Sequence, residues 1–217
     1  MSLNNRSRDG LDISQGFSLI ELLVVLAIIS ILAVASLAAI QGTQSGVQLK
    51  GSGDAVIAEL NLARQTASTR NLPVDFRIYQ VPDSSGTIAH RVIGLVIQAS
   101  MSGAATDEYV GKPVVLPGDV VVLPDKTYSS LLDTTASTTS APIAGTESAS
   151  APYLVQNKPF VKFTFLPGGS INLDSTVPWC LTLANQHKKA GVNGGPAANY
   201  VAIVMDGQSG RASIFQP

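Results

Sequence analysis

Charge is scarce in this 217-residue chain. Lys, Arg, Asp and Glu together make up 13% of it, against roughly 25% in an ordinary soluble domain. Such a chain either carries a membrane segment or builds its surface from Ser, Thr and Asn. The formal net charge of −1 excludes the broad basic field by which nucleic-acid binders hold phosphates. Cysteine occurs once, at Cys180, so no intramolecular disulfide can form. A chain of this length buries a core without one, and cysteine usage leaves the compartment open.

Catalytic and metal-binding patterns are also scarce. His90 and His187 are the only histidines, and neither has Cys or acidic residues at metal-ligand spacing. Cys180, beside Trp179 in an apolar run, reads as a buried small hydrophobe; a nucleophile pair with His187 is the formal alternative. Gly191–Pro196 is Gly-rich but lacks the Lys-Ser/Thr and helix of a phosphate loop. Asp125, Asp133, Asp174 and Asp206 are scattered without calcium-loop spacing. The expectation is a protein that is not an enzyme, with no catalytic residue, no metal and no cofactor.

What the chain does have is at its N-terminus. Residues 1–16 are polar and include Arg6, Arg8, Asp9 and Asp12, and no ionisable side chain occurs from Leu22 to Leu49. As a helix, 17–40 would run about 36 Å, enough for a hydrocarbon core of about 30 Å. Arg6 and Arg8 favour a cytoplasmic N-terminus, with the bulk of the chain on the far side. A plain anchor accounts for the apolar run but not for Glu21 near its start. A secretory signal peptide, with Leu22–Leu32 as its apolar region and cleavage after Ala33-Val34-Ala35, leaves Glu21 unexplained too. A buried core helix would need a polar face, and almost none exists before Gln41.

Gly16-Phe17-Ser18-Leu19-Ile20-Glu21, between a polar leader and an apolar helix, resembles the cleavage and methylation signature of type IV prepilins. The resemblance implies that a prepilin peptidase cuts after Gly16, that Phe17 becomes an N-methylated N-terminus, and that Glu21 serves assembly. An acid inside a membrane helix costs up to about 3 kcal/mol at the centre and usually faces a partner. Among packed N-terminal helices that partner would be the α-amino group of a neighbouring Phe17.

Further along, Gly42, Gly46, Gly51 and Gly53 suggest a hinge, since each interior glycine costs about 1 kcal/mol relative to Ala. Helical spacing resumes at Asp54, a suitable N-cap, with Val56, Leu60, Ala63 and Ala67 on one face. Asn71-Leu72-Pro73 ends that helix. The period then changes to two: strands are expected at Val74–Tyr79, Arg91–Ala99, on either side of Pro117-Gly118-Asp119, at Phe160–Phe165, Ser170–Leu173, Pro178–Leu183, Tyr200–Met205 and Arg211–Phe215. The Ser/Thr/Ala-rich stretch 128–153 reads as a long exposed loop.

Leu60, Ala63, Arg64, Ala67, Arg70 and Asn71, the Phe163-x-Phe165-x-Pro167-x-Gly169 pattern and the terminal Gly210-Arg211 strand resemble the minor pseudopilin H and FimT group. The Ala63–Pro73, Trp179 and Asn199–Pro217 segments are similar to the Verru_Chthon cassette protein D group. Together these imply an α+β, type IV pilin-like fold: leader 1–16, membrane and assembly helix 17–40, hinge and amphipathic helix 41–72, and an antiparallel β-rich head 73–217. The implied role is a structural subunit, a pseudopilin or minor pilin, held in the bacterial inner membrane with its head periplasmic, or extracellular once in a pilus. Its partners would be other pilin-like subunits and prepilin peptidase. DNA capture through Lys188, Lys189 and Arg211 is the alternative; three cations without interleaved aromatics make a weak footprint.

Overall fold

The computed structural model describes residues 17–83, 85–135, 140–186 and 199–216, with backbone alone over 34–44. Two compact units divide the chain, Met1–Thr43 and Gln44–Pro217. One helix, α1, Leu19–Arg70, contributes to both. A short helix α2 (Ala99–Ser102) and ten strands follow: β1 (Val74–Pro82), β2 (Ile88–Ile97), β3 (Glu108–Tyr109), β4 (Val114–Val115), β5 (Val120–Val122), β6 (Ile143–Thr146), β7 (Pro159–Phe165), β8 (Trp179–Asn185), β9 (Tyr200–Met205) and β10 (Ala212–Phe215).

All ten strands form one antiparallel sheet in the order β10-β9-β8-β5-β2-β1-β7-β6, with β3 and β4 also paired to β2. Alternation along each strand sends one set of side chains to α1. Val74, Phe76 and Ile78 of β1, Ile93 and Leu95 of β2, and Leu181, Leu183, Val201 and Ile203 share a core with Leu49, Val56, Leu60, Ala63 and Ala67 of the helix, all 2% exposed or less. Phe76 and Phe163 stack within it at 5.1 Å. The helix ends where the sequence says it should. Asn71 takes the left-handed conformation (φ 53°), and Pro73 cannot continue the turn.

Three sequence expectations are corrected. Asp54 lies inside α1, not at its start, because the helix runs unbroken through the glycines. Gly53 has a packing role there: a Cβ would come within 2.9 Å of Val201 Cγ1, so its absence lets helix and β9 approach closely. Ser170–Leu173 contributes only an isolated bridge, Phe165 to Ile171, and not a strand.

The third correction concerns 128–153, which among its described residues is not exposed loop throughout. Leu131 and Leu132 are buried in the core, and Ile143–Thr146 is strand β6. β5 has three residues and leaves part of the edge of β8 without a strand partner. The Ser129 and Ser130 hydroxyls take its place, accepting the Thr182 amide at 3.1 Å and the Cys180 amide at 2.8 Å. Unsatisfied buried N–H groups are costly, which is why Ser129 is fully buried.

Candidate functional site

The N-terminal part of α1 is the first candidate. The Ser18 carbonyl accepts the amides of Glu21 at 3.0 Å and Leu22 at 3.2 Å, closing the first turn. Glu21 therefore stands in that turn, where an anion suits the positive end of the helix dipole. Phe17, Leu19 and Ile20 are 70–82% exposed, and the apolar side chains from Leu22 to Leu32 remain exposed on every face of the helix. The Ser30 hydroxyl donates to the Leu26 carbonyl at 2.7 Å, so this polar group is satisfied within the helix. Gly16 lies outside the described residues, as do Lys188, Lys189 and His187.

No helix among the described residues is long and apolar enough to cross a membrane. The expected span 17–40 lies only partly within the described residues, because the side chains of 34–44 fall outside them.

Within the head, the sheet face turned away from α1 carries a buried ionic cluster. Asp75, Arg77 and Tyr79 alternate with the core residues of β1 and are at most 4% exposed. Arg77 donates to Glu147 Oε2 at 2.7 Å, Asp107 Oδ2 at 2.9 Å and Asp75 Oδ2 at 3.2 Å, and stacks 4.8 Å over the Phe160 ring. Asp75 also accepts Lys162 Nζ and Gln98 Nε2, each at 2.8 Å, and the Thr164 hydroxyl at 2.7 Å. The Tyr79 hydroxyl donates to Glu147 at 2.6 Å. Burial works to raise both carboxyls. Bonds from Lys162 to Asp75, and from Tyr79 and Arg77 to Glu147, outweigh it and hold each below its ordinary range. Burial would lower the Arg77 pKa, but its bond to Glu147 reverses that and raises it.

Sequence reasoning saw the alternation in β1 but not this cluster. The signal was three polar residues at spacing two in an otherwise apolar strand. The partner Glu147 is 70 residues away in a segment that reads as loop.

Among the described residues, the remaining candidates are not assembled into a site. Cys180 is half-buried, faces away from the core, and lies 3.3 Å from the Tyr128 carbonyl. No group of His, Cys, Asp and Glu that could hold a metal occurs among the described residues. His90 is buried against Gln80, Nε2 to Nε2 3.0 Å apart. Burial pushes its pKa down to about 4, so the neutral ring accepts the Gln80 amide. An unfolded His titrates near 6.5, so the unfolded chain binds the proton more strongly. Stability is therefore expected to fall as pH drops from 6.5 toward 4, by on the order of 3 kcal/mol. Urea unfolding checks this between pH 6.5 and about 5, above the range where the carboxylates titrate, and a His90→Gln variant should lose most of the slope there; an unchanged slope would refute the assignment to His90.

Comparison with known proteins bears on the N-terminus first. Residues 13–37 match the prokaryotic N-terminal methylation motif. No curated protein matches the chain. Among solved structures, it is similar to the minor pseudopilin EpsH from the Type 2 Secretion System of Vibrio cholerae. The identity is 10% and the TM-score 0.41, over 78% of this chain and 98% of that one. A methylation motif thus opens a long helix whose second half packs on an antiparallel sheet, an α+β arrangement.

Proposed function

We propose that this protein is a structural subunit that assembles with other pilin-like subunits through its N-terminal helix, in a secretion pseudopilus or a type IV pilus. The carrying observation is the segment Phe17–Leu32. It is apolar on all faces, exposed throughout, and has Glu21 as its one charged side chain. A helix without a polar face buries itself in lipid or among its own kind, and the same segment serves for both in turn. Prepilin peptidase would cut after Gly16, and methylation of Phe17 would follow. The apolar surface then supplies non-directional burial and Glu21 supplies register. Before assembly the subunit would sit in the inner membrane with its N-terminus cytoplasmic and its head periplasmic.

Intact mass and N-terminal sequencing of the protein from its native membrane test this directly. The expected mature chain starts at N-methylated Phe17. A chain starting at Ser36 would mean an ordinary exported protein, and an uncleaved chain a simple anchor.

A further inference from the structure

The turn between β9 and β10 borders an open hollow of about 480 Å3 on the head. Its walls come from three places: Arg64 on α1, the Gly168–Ser170 turn after β7, and the turn from Asp206 to Arg211. These walls are held close by glycine. Gly210 has φ +63°, and a Cβ there would meet the Gly169 carbonyl at 3.0 Å. The Ser68 hydroxyl, donating to the Pro167 carbonyl at 3.1 Å, ties the other turn to the helix. The framework is therefore positioned before any ligand arrives, which lowers the ordering cost of binding.

The arginines of the head divide into two sets. Arg70 donates to Glu108, Arg77 to its three carboxylates, and Arg91 to the Gly118 carbonyl at 2.9 Å. Arg64 and Arg211 are the described arginines whose guanidinium groups have no acceptor among the described residues, and both line this one hollow. Asp206 is the acid beside them, and its oxygens are engaged within the turn. They accept the Gln208 amide at 3.2 Å, the Ser209 amide at 3.1 Å and the Ser209 hydroxyl. Two cations against one anion leave a local excess of positive charge in a chain whose formal charge is −1. Guanidinium groups pair with planar or tetrahedral oxyanions through two parallel N–H bonds.

We propose that this hollow is an oxyanion site, taking a phosphate or carboxylate group between Arg64 and Arg211. The test is to titrate the full-length protein in uncharged detergent, at constant ionic strength, with sodium phosphate and separately with sodium acetate. Amide and arginine side-chain NMR shifts are followed. The expected result is saturable shifts confined to Arg64, Gly168–Ser170 and Gln208–Arg211, with affinity at least tenfold weaker in Arg64→Gln and in Arg211→Gln. Arg211 is exposed on a turn, so its variant reads the site even if the Arg64 variant fails to fold. Saturation by acetate as well as phosphate assigns the site to a carboxylate-bearing ligand. Saturation by phosphate alone assigns it to a phosphorylated one. Shifts that never saturate, or that persist unchanged in Arg211→Gln, overturn the proposal.

Discussion

Replacing Arg77 with Ala is expected to destabilise the head by about 3–5 kcal/mol, the usual cost of removing one partner from a buried ion pair. The reason is what remains. Asp75 and Glu147, each with its side chain 2% exposed, would keep their charges with Lys162 as the one remaining cation at hydrogen-bond distance, and that cation reaches only Asp75. Glu147 would be left with the Tyr79 hydroxyl and the Ser148 amide, neither of which supplies charge. Urea unfolding should show the loss as a lower midpoint. Pairing Arg77→Met with Glu147→Leu should cost less than the sum of the two single changes, because removing both charges leaves no orphan at that bond. A loss under about 1 kcal/mol for Arg77→Ala would mean that water reaches the cluster.

Glu21→Ala is expected to leave cleavage and methylation intact and to reduce assembly by more than tenfold. An acid among packed apolar helices is tolerated only with a partner. Opposite charges at about 4 Å attract by about 4 kcal/mol where the effective dielectric is about 20. The amine of a neighbouring Phe17 is the proposed partner, because the proposed cleavage would create it at the start of the same helix. Losing the acid leaves that amine unpaired and lets the helices slide, since apolar burial has no preferred axial register. The measurement is the fraction of mature protein recovered in sheared or cross-linked assemblies, scored against wild type. Assembly at the wild-type level would sink the pairing. A failure of processing would place Glu21 in peptidase recognition instead.

The two predictions depend on parts of the chain that differ in how they can be read. The Gly16–Glu21 motif and the apolar run after it are local: six adjacent residues and an uninterrupted composition carry the information. The inward face of α1 was legible for a similar reason. Val56, Leu60, Ala63 and Ala67 sit at helical spacing, and one face of a helix needs no knowledge of its partner to be recognised. Most strands were legible from alternation and turn residues, β9 to its exact bounds.

The misreadings are non-local. Asp54 looked like a helix start because helix propensity counts only the backbone, whereas the helix runs on through Gly53, which lets Val201 approach closely. The stretch 128–153 looked like loop because Ser and Thr are polar. Ser129 and Ser130 instead replace a strand on β8, and β6 brings Glu147 over Arg77.

By itself, then, the sequence determined the end of the helix and most strands, the apolar N-terminal segment and the methylation motif at its head. These depend on neighbours within a few residues. The tertiary structure alone decided which polar residues are buried and with whom. It joined Glu147 to Arg77 and placed Arg64 and Arg211 around one hollow, since a charge can be buried or left open only by residues that folding brings to it.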